Sequence, residues 1–416
     1  MTNSNNKGHG TKPTIDNSDG AALSLGMGTN NDPLKLGDGV GDAITVAGGN
    51  GDTVSLGNGD YDTAAFGNGN DNQISVGDGA FDTVTLDAGN HNTLSAGNGK
   101  FDTLSVTQGN WNNLSAGNGP YDNLSVGSGD HNYLGASGSN AVLSVGDGND
   151  NTLVGGGGDN EQLSVGNGQG NQLTSGDGIG DILSFSGGDH NHLKAGNGAH
   201  AFVSGGDGDY NRLAVGSGAQ DTILLDGGNH NVLKLGNGNG DTAGITGSGN
   251  NNRIVAGNGQ DDVIFGPNGA GNVLRGGSGF DTIIGGTGAD RLVAGSGGAL
   301  LTGNGGADTY VLNRLGADEV QDNSADLNGA TIKNFAKNDS IDLTDLGFGS
   351  KTTLAYTGTH SGGTLTLSDG TNTAAIHLVG QYSAANFVDA GDGGTGTLVT
   401  FMTAPAQHPV VVAASH

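Results

Sequence analysis

The chain contains no cysteine, which excludes a disulfide scaffold and thiolate metal sites. Basic residues are also scarce: 14 Lys and Arg stand against 42 Asp and Glu, for a net charge of −28. Nucleic acid and anionic membrane surfaces are therefore poor partners, and cations are natural ones. Long apolar runs are missing as well, so no membrane insertion is expected. Met1 to Gly20 is polar and lacks the apolar core of a secretory signal peptide, so an export signal is expected elsewhere. Only 33% of residues are hydrophobic and 5% aromatic, which leaves material for a thin core at most.

What the chain has instead is glycine, 86 of 416 residues, set in a ten-residue unit Val-Gly-Asn-Gly-x-x-Asp/Asn-x-Leu-Ser that repeats from Leu36 to Arg275. An apolar residue returns in register in unit after unit, which a disordered Gly-rich linker has no reason to maintain. In the two units from Ala96 to Ser115, AGNGKFDTLS and VTQGNWNNLS, Leu104 and Val106 fall on one side of a short strand and Thr103 and Ser105 on the other. A turn every ten residues leaves no room for a helix, and the GNG glycines permit positive φ and close backbone approach.

Two strands per twenty residues predict one flattened coil, and coils stacked at about 4.8 Å form two parallel sheets across a thin core. The expected inward ladders are Val84, Leu104, Leu124, Leu143 and Leu163 on one sheet, and Ile74, Leu94, Leu114, Leu134 and Leu153 on the other. The fold class is all-β, a parallel β-roll or β-solenoid with a small C-terminal β cap.

Alternate units differ at the polar position. One edge carries Asp42, Asp62, Asp82, Asp102, Asp122, Asp181, Asp221, Asp241 and Asp262; the other carries Asn72, Asn92, Asn112, Asn132, Asn151, Asn171, Asn191, Asn211, Asn231, Asn252 and Asn272. A stacked Asn column can exchange amide hydrogen bonds without charge repulsion. Stacked carboxylates about 5 Å apart repel, and need a bound cation, backbone N–H donors or raised pKa values. An Asp that caps its own turn is the plainer alternative.

From Gly276 the spacing shortens to nine: GGSGFDTII, GGTGADRLV, AGSGGALLT and GNGGADTYV. These units resemble the G-G-x-G-x-D-x-apolar-x nonapeptide of the RTX (repeats-in-toxin) family of type I-secreted bacterial proteins. The resemblance implies Ca²⁺ held between successive turns by the Asp and by backbone carbonyls. Carried onto this sequence, the Asp position falls on Asp281, Asp290 and Asp308, with Ala299 in the third unit. Asp290 and Asp308 should stack on one edge and form the first calcium candidate, with Asp281 and Asp262 the second. Hard oxygen donors of this kind suit Ca²⁺.

Past about Leu312 the glycine rhythm stops, and alternating β patterns follow at 330–335, 339–348, 363–369, 374–379 and 394–401, as expected of a small antiparallel cap. GADTYVL running into NFAKNDSIDL, and GQYSAANF before GGTGTLVTF, resemble the C-terminal region of serralysin-type proteins. That resemblance spans roughly Gly276 to Phe401 and implies an uncleaved C-terminal signal read by a type I secretion machinery. The expected organisation is a flexible segment 1–20, a solenoid 21–311 with decapeptides to about 275 and nonapeptides 276–311, a cap 312–401 and a tail 402–416.

No H-E-x-x-H motif occurs, no G-x-S-x-G elbow sits between strand and helix, and the GxGxx[DN] units are followed by strands rather than the helix of a dinucleotide site. No catalytic activity is expected. A β-helix carbohydrate-active enzyme would need basic residues converging with carboxylates, whereas Lys194, Arg212, Lys234, Arg253, Arg275 and Arg291 read as solvated strand positions. Aromatic and His residues before the polar position, among them Tyr61, Phe81, Phe101 and Tyr121, suit either sugar binding or a ring ladder, and the Thr-x-Ser rows suit an ice-binding array. The reading is a secreted, extracellular or cell-surface calcium-binding repeat protein with a structural or adhesive role, in biofilm matrix or a surface layer, folded by Ca²⁺ after export. Glycans, a cell surface or further copies of the chain are its candidate partners; a glycan- or ice-binding module is the alternative, followed by a carbohydrate-active β-helix enzyme.

Overall fold

The computed structural model describes residues 16–26, 31 and 33–403, with the backbone alone at 3–4 and 29–30. The tail after 403 and most of the N-terminal segment lie outside the described residues. The chain divides into two compact units, Met1–Arg253 and Ile254–His416.

The first unit is a parallel β-solenoid with two strands per coil. Strand Thr83–Ala88 pairs in parallel with Thr103–Gln108, which pairs with Asn123–Val126, and the facing series runs Thr93–Ser95, Asn113–Ser115, Tyr133–Gly135. Each coil returns the chain to its starting side, so successive strands run parallel rather than forming hairpins. The expected ladders are in register: Val84↔Leu104↔Leu124↔Leu143↔Leu163 on one sheet and Ile74↔Leu94↔Leu114↔Leu134↔Leu153 on the other. All ten side chains are buried.

The glycines act differently from the expectation. Those at 77, 79, 97 and 99 do not take positive φ; they are needed because coils approach closely, with the N–H of Gly97 donating to Gly77 O at 2.9 Å and that of Gly117 to Gly97 O at 2.8 Å. Positive φ falls on the residue before the polar position, such as Phe81 (64°), His91 (58°), Phe101 (63°) and Trp111 (60°). Bulky residues enter this left-handed region at a cost, and their rings stack along the solenoid at 4.8–5.0 Å in the run Tyr61, Phe81, Phe101, Tyr121.

The second unit begins as the same architecture. Asp281–Ile284 pairs in parallel with Ala299–Thr302, and Arg291–Val293 with Thr309–Val311. Parallel pairing continues beyond the last nonapeptide, through Asp318–Asp322 to Ser340–Leu343 on one side and Thr331–Lys333 on the other. Antiparallel structure starts only there: the meander Thr353–Thr359, Gly362–Ser368, Thr373–Val379 closes one sheet, and Thr397–Phe401 with Phe387–Gly391 closes the other. The strand at 331–333, expected in an antiparallel cap, is thus a parallel solenoid strand. Phe335, Tyr356, Tyr382, Phe387 and Phe401 pack against one another at this end.

Candidate metal centre and the buried carboxylate columns

Both polar columns point inward. Every Asp and Asn of the two series is buried, where an edge exposed to solvent would have left them wet. In the Asn column the amide oxygen accepts the backbone N–H of the residue one coil back, as from Asn92 N to Asn112 Oδ1 at 3.0 Å. The amide nitrogen donates to a glycine carbonyl: Asn92 Nδ2 to Gly69 O at 3.0 Å, Asn112 Nδ2 to Gly89 O at 2.9 Å. An amide suits the site because it carries one acceptor and one donor.

The Asp column keeps the first bond and lacks the second. Oδ1 of Asp62, Asp82, Asp102 and Asp122 accepts the N–H of the Asp one coil back at 2.9–3.0 Å. Oδ2 of each is buried and has no hydrogen-bond partner among the described residues. Burial pushes the pKa of Asp62 and Asp102 up to about 6 and that of Asp82 and Asp122 up to about 7, against the opposing pull of the backbone N–H. Neighbouring carboxylates add to the rise for Asp62, Asp82 and Asp122. Ionised neighbours about 5 Å apart would repel by about 3 kcal/mol per pair at an effective dielectric constant near 20.

The nonapeptide carboxylates sit in the second unit. Asp290 takes the place an Asn would hold: its Oδ1 accepts the N–H and Nδ2 of Asn272 at 2.9 and 3.1 Å, and its Oδ2 accepts the Gly286 N–H at 3.3 Å. Its own N–H donates to Asp308 Oδ1 at 2.8 Å, so the two stack as expected. Asp308 Oδ2 is buried without a hydrogen-bond partner among the described residues, and a β-carbon at Gly303 would collide with it and with the Tyr310 hydroxyl. Burial, then repulsion from Asp290, Asp322 and Asp326, pushes the Asp308 pKa up to about 7. Burial raises that of Asp290 too. Asp281 lies opposite Ala299 in the ladder, and its Oδ2 accepts the Gly277 N–H at 2.8 Å; Asp262 is buried on the same edge, its carbonyl accepting the Thr282 N–H.

These residues fit a calcium ion. The donors are hard oxygens, one of them is an orphaned buried carboxylate oxygen, and the site accumulates negative charge. Among the described residues no three His, Asp or Glu side chains converge on one point, so Asp290 and Asp308 would be completed by turn carbonyls, which calcium accepts.

Sequence reasoning passed over further buried carboxylates. Asp318 accepts the Asn313 N–H at 2.6 Å, and its own N–H donates to Asp339 at 3.1 Å. Burial pushes Asp318 up to about 7 and Asp339 up to about 6. The tripeptide Gly-Ala-Asp, present at 288–290 and 306–308, recurs at 316–318 and marks Asp318; nothing comparable marks Asp339. Asp322, whose Oδ2 accepts the N–H groups of Gly303 and Asn304, and Glu161, which replaces Asp in the first unit's column, were likewise passed over.

The exposed rings stack face to face, with interplanar angles of 5–7° along Tyr61 to Tyr121. Phe81 and Phe101 each have a ring stacked on both sides, so the main partner of these rings is the next ring.

Residues 267–298 match the model of the RTX calcium-binding nonapeptide repeat, in four copies. This match and the parallel β-solenoid fit an RTX β-roll protein. Calcium is the ligand of the RTX repeat. The matched stretch of the RTX repeat contains Asp281 and Asp290, while Asp262 lies before it and Asp308 beyond it. No curated protein matches this chain. No helix among its described residues is long and apolar enough to cross a membrane.

Proposed function

We propose that this protein is exported and acts outside the cell as a calcium-folded structural or adhesive element, in biofilm matrix or at a surface layer. The carrying observation is the stacked, buried Asp290–Asp308 pair with its orphaned oxygen. Two carboxylates desolvated side by side destabilise the folded chain until a cation joins them. In calcium-poor cytosol the nonapeptide coils stay loose; in the ~10⁻⁴ to 10⁻³ M range typical of extracellular modules they close.

Asp290 and Asp308 are the first ligands and Asp281 with Asp262 the second. The segment after 311 carries the signal for a type I secretion machinery, and the solenoid is non-catalytic. Repetition supports this last point: each coil presents much the same residues as its neighbours, whereas catalysis needs unlike groups converging at one place.

Calcium titration of the full chain, followed by circular dichroism, tests the reading. β structure should grow with calcium and fall with chelator; a spectrum indifferent to chelator overturns the folding switch. Retention of the secreted protein on cells or matrix, released by chelator, tests the adhesive role, and a soluble protein that never associates in calcium overturns it.

A further inference from the structure

The Asn and Asp columns of the first unit occupy equivalent positions. A β-carbon built on Gly89 would run into Gly69 O and lie 2.8 Å from Asn92 Nδ2; one built on Gly99 would run into Gly79 O and lie 2.9 Å from Asp102 Oδ2. The carboxylate oxygen therefore stands where the opposite edge places an amide N–H₂, beside a glycine carbonyl that the amide bonds. Two oxygens meeting without a hydrogen between them leave both unsatisfied. A single proton on Oδ2 makes the carboxyl a donor–acceptor group like the amide.

We infer that in the folded first unit the run Asp42, Asp62, Asp82, Asp102, Asp122 stands as neutral carboxylic acids, each donating its O–H to the turn carbonyl one coil back, that of Ser18 for Asp42 and of a glycine for the other four, so that stacking of these coils is coupled to proton uptake. The proton comes from solvent as the coil closes and returns to solvent as it opens. An Asn ladder would hold the coils at every pH; the Asp ladder makes one edge of the same solenoid acid-favoured.

Three observations support this. The unpartnered oxygen recurs in all five residues of the run. The charged groups bearing on the run are carboxylates: Asp16 and Asp19 on Asp42, Asp38 and Asp60 on Asp62, Asp60 on Asp82 and Asp102, and the Asp neighbours along the column. The opposite edge contributes one buried carboxyl, Asp52, whose N–H donates to Asn72 Oδ1, and then the neutral amides of Asn72 to Asn132, with His91, Trp111 and His131 lying outside. Burial raises all five pKa values, to about 6 or 7 in the four inner members. The sign follows: a carboxyl raised in the folded state contributes stability below its unfolded value, and that contribution is lost as pH rises through about 6 to 7. The run titrates as a coupled set rather than as five independent groups.

The test uses the full chain at a constant excess of calcium, which keeps the nonapeptide coils in one state. Thermal unfolding of D82N, of D62N/D82N/D102N and of the unsubstituted chain is followed from about pH 8 to about pH 5. The amide supplies its donor without a proton, so both variants should unfold at a higher temperature than the parent near pH 8, the triple variant more so. The difference should narrow steadily as pH falls to about 5, and would close only below about pH 4. Variants less stable than the parent at both ends overturn the inference, because they would mean the ionised carboxylate holds something the amide cannot. Should the triple variant fail to fold, ¹³C-labelled Asp in the parent decides: the inference requires several carboxyl resonances titrating near or above pH 6, and it falls if every Asp titrates at ordinary carboxylate values near pH 4.

Discussion

The N–H of Asp290 donates to Asp308 Oδ1 at 2.8 Å across eighteen residues of sequence, and this bond aligns the two nonapeptide carboxylates on one edge of the stack. Neither is paired with a basic group, and Asp308 keeps one oxygen free of any hydrogen bond among the described residues.

Calcium affinity should depend on that pair. Asp308→Asn removes the orphaned anionic oxygen while preserving the acceptor for the Asp290 N–H, and should weaken binding by about tenfold or more, as loss of a charged ligand does. Isothermal titration measures it. An unchanged isotherm would remove Asp308 from the ligand set, whereas Asp62→Asn, in the decapeptides, should leave the nonapeptide affinity where it was.

Without calcium, Asp308 should make the second unit more stable in mild acid. Its pKa rises from 3.8 to about 7, so its contribution is full below about pH 4 and is lost as pH climbs through 7. Calcium should offset that loss. Unfolding midpoints across pH with chelator and with excess calcium should diverge towards alkaline pH, and parallel curves would contradict the assignment.

Leu114 lies buried in a ladder between Leu94 and Leu134. Leu114→Ala opens a void that two neighbouring coils share and should cost about 2–5 kcal/mol. Chemical denaturation followed by far-ultraviolet circular dichroism reads this directly; a cost under about 1 kcal/mol would mean that the coils collapse onto the gap.

Two glycines separate close approach from backbone freedom. A methyl group on Gly99 meets the carbonyl of Gly79, so Gly99→Ala should push coils apart and destabilise severely. Gly41 has φ of +73° with open space around it, so Gly41→Ala should cost only the left-handed strain of about 1–2 kcal/mol. Equal losses would refute the distinction.

Phe101 stacks between Phe81 and Tyr121 at φ 63°. Phe101→Ala loses both ring contacts and keeps the strain; Phe101→Gly loses the contacts and relieves it. The glycine variant should therefore be the more stable of the two, by about 1 kcal/mol. If both variants match the parent in stability, the ring ladder contributes nothing to the fold.

Much of this molecule was legible in its repeat. Leu94, Leu114 and Leu134 could be placed in one column because the spacing between them equals one coil, and the same count separated the Asp edge from the Asn edge. Asp290 and Asp308 could be paired across the Ala299 unit in the same way. The role of Phe81 and Trp111 as left-handed residues was not legible, because glycine sits nearby and is the usual occupant of that conformation. The strand at 318–322 was passed over and the parallel pairing of 331–333 was missed, since the turns before them lack the Gly-x-Gly pair that announces the others.

The sequence by itself determined the length of a coil, the register of its ladders and the chemical difference between its two edges, because periodicity in a stacked chain converts directly into neighbours. Only the tertiary structure decided that the turn carboxylates point inward. A turn residue can face solvent or core with the same spacing, and the choice depends on whether the N–H of the coil behind is there to receive it. That contact turns a column of acidic residues from a wet edge into a buried, titratable interior.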